Sequence, residues 1–177
     1  MFVDFYNLGD NQLTTIIFQN VIRKLTGLVN GYLLADESGK YRPEEWARKA
    51  VALYLMYDAD RIVAEKNQGG DMVESTIRTV NPDVPYKSVH ASRGKYTRAE
   101  PIAALYESGR VYHVGEFASI EDQMCSFTTD MDRKASGFSP DRVDALVWGF
   151  TDLFPNLTKR RKKEQNYDIP QAFSHFS

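Results

Sequence analysis

Three acidic residues occupy positions where a carboxylate could do chemistry. Glu65 ends the apolar run IVAE, Asp144 interrupts the apolar segment VDALVWGF, and Asp4 interrupts the run FVDF. A lone carboxylate is costly to bury, so a carboxylate that faces the interior must be neutral, paired or bound to a cation. Carboxylates without a histidine or cysteine cluster favour hard cations. We therefore expect one or two Mg²⁺ or Mn²⁺ ions at a site built from these three residues.

Such a site favours phosphodiester hydrolysis, because two ions about 4 Å apart can activate a water and stabilise the leaving oxygen. Four basic residues cluster around the third predicted strand and the start of the next helix, and we expect them to bind DNA phosphates: Lys87, Arg93, Lys95 and Arg98. An ordinary explanation also stays open. Glu65 could pair with Lys66 or Arg61 at the surface, and the basic residues could form a solvated loop.

The elements that must position these residues alternate along the chain. Short apolar runs predict strands at 32–36, 61–65, 86–90 and 110–114. Helical spacing predicts helices from Pro43, over 72–80, from a capping box at 97–100, near 119–127, and from the Ser139 cap to about Phe154. This order predicts an α/β sheet with parallel central strands. Residues 1–6 are interpreted as a strand, while 14–25 fit a strand or a helix equally well.

Composition indicates an ordinary globular chain of 177 residues, of which 42% are hydrophobic. Its single cysteine, Cys125, excludes a disulfide within the chain, and no apolar run approaches the roughly 18 residues that span a bilayer. We therefore expect no membrane association and an intracellular, reducing compartment. The net charge is −2, but residues 159–177 carry +3. We expect residues 1–155 to form the domain, with 1–30 uncertain, and 156–177 to form a flexible basic tail.

Four segments within about residues 31–154 are distinctive: YLLADESGKYRPEEW, AEKNQGGDMV, EDQMCSFTTD and SPDRVDALVWG. They resemble the nuclease domain of the large terminase subunit of tailed phages and prophages. This resemblance implies a ribonuclease H-like mixed sheet with helices on both faces. It also implies an endonuclease that cuts concatemeric viral DNA during packaging, in the cytoplasm of the bacterial host. The implied partners are double-stranded DNA, the terminase ATPase domain, the small terminase subunit and the portal protein.

The resemblance also assigns residues to the site. Glu65 matches the middle acid of the family's metal-binding triad, Asp144 matches the acid on the late helix, and Asp141 is an accessory metal ligand one turn earlier. Asp4 takes the place of the acid on the opening strand, although the segment that follows it does not resemble the family's loop. The alternative is that this acid is missing. The chain would then be an inactive prophage remnant that binds DNA or the packaging complex.

The packaging ATPase of this family needs a phosphate-binding loop of the form G-x-x-x-x-G-K-[ST]. Neither Gly39-Lys40 nor Gly94-Lys95 is followed by serine or threonine. We therefore expect nuclease function without ATPase function in this chain.

Overall fold

The computed structural model describes residues 2–6, 13–23, 29–66, 70–127 and 140–158, and for 2–6 and 13–23 it describes the backbone course. Within these ranges lie seven strands: β1 (Phe2–Tyr6), β2 (Leu13–Arg23), β3 (Val29–Asp36), β4 (Gly39–Lys40), β5 (Ile62–Glu65), β6 (Tyr86–Val89) and β7 (Val111–His113). The same ranges contain six helices: α1 (Pro43–Met56), α2 (Gly70–Val80), α3 (Lys95–Glu107), α4 (Ala118–Ser126), α5 (Asp141–Leu153) and α6 (Pro155–Thr158).

The strands form one mixed sheet in the order β6-β5-β1-β2-β3-β7, with β4 paired to β2. Strand β2 is antiparallel to both β1 and β3. The pairs β1–β5, β5–β6 and β3–β7 are parallel. The strands predicted within 32–114 therefore pair in parallel, as β5–β6 and β3–β7, whereas a parallel arrangement is wrong for the middle of the sheet, where β2 is antiparallel to both neighbours. The reason is that β1, β2 and β3 follow one another through short connections, and only antiparallel neighbours can be joined in that way.

Two apolar cores lie on opposite faces of the sheet, because alternate residues of a strand point to opposite sides. Ile62 and Ala64 of β5 pack with the buried residues of α1 and α2, including Trp46 and Ile77. Val63, between them, packs with a second core built from β3, α3, α4 and α5. Helices thus cover both faces of the sheet, and the end of β5 lies between the two layers.

The predicted strands and helices are found with small shifts, apart from one helix start. Helix α3 begins at Lys95, with Gly94 before it and no side-chain hydrogen bond at its cap. The predicted capping box at Thr97 and Glu100 is therefore wrong, since both residues lie inside the helix. Ion pairs from Lys95 and Arg98 to α5 stabilise the first turn instead. The described parts of the segments 1–6 and 14–25, residues 2–6 and 14–23, lie in strands β1 and β2.

The Ser139 cap and residues 159–177 of the tail predicted over 156–177 lie outside the described residues. Residues 156–158 of that predicted tail lie in helix α6. Across the described ranges, no helix combines the length and apolar character needed to cross a bilayer.

Candidate active site

Two carboxylates in the first turn of α5 form what we call the acid pair, Asp141 and Asp144. Residues three apart on a helix share a face, and this face is inward, with Asp141 1% and Asp144 2% exposed. The side chain of Gln123, which belongs to the neighbouring helix α4, caps this turn. Its Oε1 accepts hydrogen bonds from the backbone N–H groups of Arg142 (3.0 Å) and Val143 (3.4 Å). Two of the free N–H groups at the helix start are thereby satisfied.

Glu65 ends β5 and is also buried, with 6% of its surface exposed. Its Oε2 accepts a hydrogen bond from Nε1 of Trp148 at 3.2 Å. Trp148 follows Asp144 by four residues and therefore lies on the same side of α5. The strand end and the helix face that carry the predicted acids are thus joined by one direct bond. The alternative that Glu65 pairs with Lys66 or Arg61 at the surface is not what the structure shows, because Glu65 is buried and accepts its hydrogen bond from Trp148.

Two basic side chains of α3, Lys95 and Arg98, contact the acid pair, and we call them the α3 cations. Nη2 of Arg98 donates to Oδ1 of Asp144 at 2.6 Å. Nζ of Lys95 lies 3.3 Å from Oδ2 of Asp144 and 3.1 Å from Oδ1 of Asp141. Both oxygens of Asp144 therefore face a positive charge. Of the three states open to a buried carboxylate, the paired one is present.

Arg98 is held by more than its ion pair. Its guanidinium carbon lies 4.7 Å from the centre of the Trp148 ring, a cation–π arrangement. Its Nη1 donates to the backbone carbonyl of Arg93 at 2.6 Å. Its Nε is buried and has no hydrogen-bond partner among the described residues. A buried donor without a partner costs free energy, so this ion pair is incompletely satisfied.

The electrostatics of the site act most clearly on Glu65. Burial raises the pKa of its carboxyl above the ordinary value, and the negative charge of Asp144 raises it further. Arg98, the Trp148 hydrogen bond and Lys95 act in the opposite direction and lower that pKa. Glu65 and the acid pair therefore belong to one electrostatic cluster, although they come from different elements.

The backbone of Asp4 lies at the level of Glu65. Strands β1 and β5 are parallel, and Phe2 pairs with Val63 and Val3 with Ala64. The next residue on each strand is Asp4 on β1 and Glu65 on β5. The register thus brings the opening-strand acid and the middle acid of the predicted triad to adjacent positions of the sheet.

Comparison with known families identifies the family of the segment that carries Glu65, Asp141 and Asp144. Residues 29–153 match the family model of the terminase RNaseH-like domain. The chain belongs to this family. The resemblance to terminase nuclease domains is thereby confirmed. Comparison with curated proteins gives no match.

The donor set of this terminase domain fits the divalent metal that RNaseH-like nucleases generally use. Glu65, Asp141 and Asp144 offer only carboxylate oxygens, which are the ligands of Mg²⁺ and Mn²⁺. Among the side chains that the structure describes, no three His, Cys, Asp or Glu residues are grouped so as to hold a metal ion. The acid pair is instead held by the α3 cations.

The four basic residues predicted to bind DNA do not form one group. Lys95 and Arg98 contact the acid pair, and Arg93 is exposed beside them, with its carbonyl bonded to Arg98. Lys87 lies on β6 and forms an ion pair with Asp152, a residue near the end of α5. The structure thus brings Arg93, Lys95 and Arg98 to the site and places Lys87 in another ion cluster. DNA binding by these residues stays a prediction.

Sequence reasoning missed the residues that support the acids. Trp148 was visible as an inward neighbour of Asp144 at i+4, but nothing in the sequence linked it to Glu65, 83 residues away. Gln123 gave no signal, since its partners lie in another helix. Arg142 donates from Nε to Oδ2 of Asp36, at the end of β3, at 3.0 Å. This pair connects the start of α5 to the sheet.

Proposed function

We propose that this terminase domain is a divalent-metal-dependent DNA endonuclease that cuts concatemeric viral DNA during packaging in the cytoplasm of the bacterial host. The family supports nuclease activity in general. The observation that carries the finer proposal is the joining of two acids from distant parts of the chain. Glu65 at the end of β5 and Asp144 on α5 are both buried and are electrostatically coupled. Buried acids of this kind are typical of functional sites.

We assign Glu65, Asp144 and Asp4 as the residues that would hold one or two Mg²⁺ or Mn²⁺ ions, with Asp141 as an accessory ligand. When bound there, the metal would supply an activated water and stabilise charge on the leaving oxygen. The register of β1 with β5 supports the assignment of Asp4. We also propose that the strands of this chain form a complete ribonuclease H-like sheet. The order of β1, β2 and β3 with the parallel strands β5 and β6 beside β1 supports it.

The chain's own residues supply binding, orientation and charge. Trp148 holds the Glu65 carboxylate by one hydrogen bond, and Gln123 and Asp36 fix the start of α5. We assign Arg93, which is exposed and whose backbone carbonyl bonds to Arg98, as a contact to a DNA phosphate. None of these contacts reads a base, so we expect weak sequence preference. The proposed partners are double-stranded DNA and other components of the packaging complex, including the ATPase domain, small subunit and portal.

The test is cleavage of supercoiled plasmid DNA with Mg²⁺, with Mn²⁺ and with EDTA. We expect nicking or cutting with either metal and none with EDTA. Glu65→Gln and Asp144→Asn should abolish cleavage while DNA binding persists. A matched control is Asp152→Asn, because Asp152 is another ion-paired carboxylate of α5, with a side chain 7% exposed and bonded to Arg61 and Lys87. This control should cleave normally.

The opposite result has a clear meaning. Salt-sensitive DNA binding without cleavage under any metal condition would support the inactive-remnant alternative. Full activity of Glu65→Gln would refute the assignment of the site.

A further inference from the structure

The ammonium group of Lys95 lies between the two carboxylates of the acid pair. Its distances are 3.1 Å to Oδ1 of Asp141 and 3.3 Å to Oδ2 of Asp144. The side chain of Lys95 is 18% exposed, while neither carboxylate side chain is more than 2% exposed. One protein cation therefore bridges two buried anions on a single turn of α5. A metal cation that approached these two carboxylates would be repelled by the positive charge of Lys95.

We propose that Lys95 is a built-in competitor of the divalent cation: its ammonium must leave the acid pair before Mg²⁺ or Mn²⁺ can bind there. This inference rests on the proposed function and adds to it a residue that sets the metal concentration at which the site fills. The physical reason is that the ammonium and the metal need the same oxygens and repel each other at short range. Lys95 therefore tunes the metal affinity without being a metal ligand.

Lys95 is better suited to leave than its neighbour Arg98. Arg98 is fixed by the Trp148 ring and the Arg93 carbonyl as well as by Asp144. Lys95 is the first residue of α3. Its charge is carried by a flexible four-carbon stem, which can change rotamer without moving the helix. The released ammonium would then be available to a bound phosphate.

The first experiment compares Mn²⁺ binding to wild type and Lys95→Met by calorimetric titration and by the shift in melting temperature. Removing one unit charge a few ångströms from the cation in a partly screened site should lower the Kd for Mn²⁺ about tenfold or more. Lys49→Met is the matched control, since it removes the same charge from a Lys–Glu pair with Glu37. Its Kd should equal that of wild type.

The outcomes separate this inference from the proposed function. If wild type binds Mn²⁺ and Lys95→Met binds it no more tightly, the inference is refuted and the metal site survives. If only Lys95→Met binds Mn²⁺, the inference is supported and metal-dependent activity of the wild type is refuted. If neither protein binds Mn²⁺, both are refuted.

A second measurement uses the wild-type protein, so it does not depend on the folding of the variant. Lysines are acetylated briefly with and without Mg²⁺, and the modified sites are quantified by mass spectrometry. We expect Lys95 to be protected in the metal-free protein and to become several-fold more reactive with Mg²⁺, while Lys49 stays unchanged. Equal reactivity of Lys95 in the two conditions, at Mg²⁺ concentrations that stabilise the fold, would overturn the inference.

Discussion

Trp148 donates its indole N–H to the carboxylate of Glu65 across 3.2 Å, and so joins helix α5 to the end of strand β5. Both groups are buried. The bond therefore has two consequences: it gives a buried carboxylate a partner, and it sets the position of one predicted metal ligand relative to the other.

Trp148→Phe removes the donor and keeps most of the apolar volume. Leaving a buried acceptor without its partner typically costs about 1–3 kcal/mol, so we expect a loss of that size in the free energy of unfolding. The pKa of Glu65 should rise further, because the Trp148 hydrogen bond lowers it. Chemical denaturation measures the stability. Trp46→Phe, in the opposite core, controls for the general effect of replacing a buried indole. Because the hydrogen bond to Glu65 comes from Trp148, which this control retains, the pH dependence of its cleavage should equal that of wild type.

Glu65→Gln should become more favourable for stability as the pH rises. Burial and Asp144 raise the pKa of Glu65 above its ordinary value near 4.5. A carboxyl with a raised pKa binds its proton more tightly in the folded state. Its contribution to stability is therefore fully present below about pH 4.5 and is lost as the pH rises through the raised value. Glutamine cannot ionise and avoids this loss.

The measurement is the free energy of urea unfolding of wild type and Glu65→Gln between pH 4 and pH 8. The difference should move in favour of the variant across the window that begins near pH 4.5. Glu74→Gln, at an exposed Glu–Arg pair on α2, serves as the control. A difference that is constant with pH for Glu65→Gln would contradict the raised pKa.

Asp144→Asn should destabilise the metal-free protein. Asp144 neutralises Arg98 and part of the charge of Lys95 inside the structure. Breaking a buried ion pair by removing one partner costs about 3–5 kcal/mol, and Lys95 keeps Asp141, so we expect the lower end of that range. Thermal or chemical denaturation measures it. A variant that is as stable as wild type without metal would show that the α3 cations do not depend on Asp144.

Gly31→Ala should destabilise the fold, because the added Cβ would crowd two aromatic rings. A Cβ at Gly31 of β3 would lie 2.6 Å from Cε1 of Phe150 and 3.0 Å from Cε2 of Phe154. Overpacking of this kind typically costs about 1–3 kcal/mol. Gly94→Ala is the matched control, because a Cβ there meets no atom within 4 Å. Phe150→Leu should recover part of the loss in the double variant, and additive losses would refute the assigned clash.

Removal of residues 159–177 should weaken DNA binding and leave the domain folded. These residues carry five of the chain's basic side chains. For each DNA phosphate that the shortened chain no longer neutralises, the slope of log affinity against log salt should become shallower by about 0.9. Fluorescence anisotropy at several salt concentrations measures the affinity and slope, and circular dichroism monitors the fold. Unchanged affinity and slope would show that the tail does not contact DNA.

The sequence was sufficient for elements with a clear local pattern. The apolar run ending at Glu65 and the helix carrying Asp141 and Asp144 were predicted to within a residue or two. Strand β2 was ambiguous, because its apolar residues fit two periodicities and only its neighbours β1 and β3 decide between them. The antiparallel orientation of β2 also depends on this pairing with β1 and β3. Local sequence patterns therefore did not predict the orientation of the strands in the middle of the sheet.

For the site, the sequence predicted which acids are unusual but not what neutralises them. Lys95 and Arg98 were predicted to face DNA phosphates, and the structure shows them on the acid pair, 46 residues along the chain. Contacts over such separations depend on how α3 packs against α5, which no local pattern encodes. The same applies to the bond between Trp148 and Glu65.

The short connections between β1, β2 and β3 have a consequence for the order of folding. Pairing between consecutive strands closes small loops, whereas β5 can join β1 only after the intervening chain has been made and packed. During synthesis the meander of β1, β2 and β3 emerges before β5. Asp4 is then in position before Glu65, and Asp144 arrives last. The acids therefore come together late in folding, and a chain that stops before α5 lacks the acid pair.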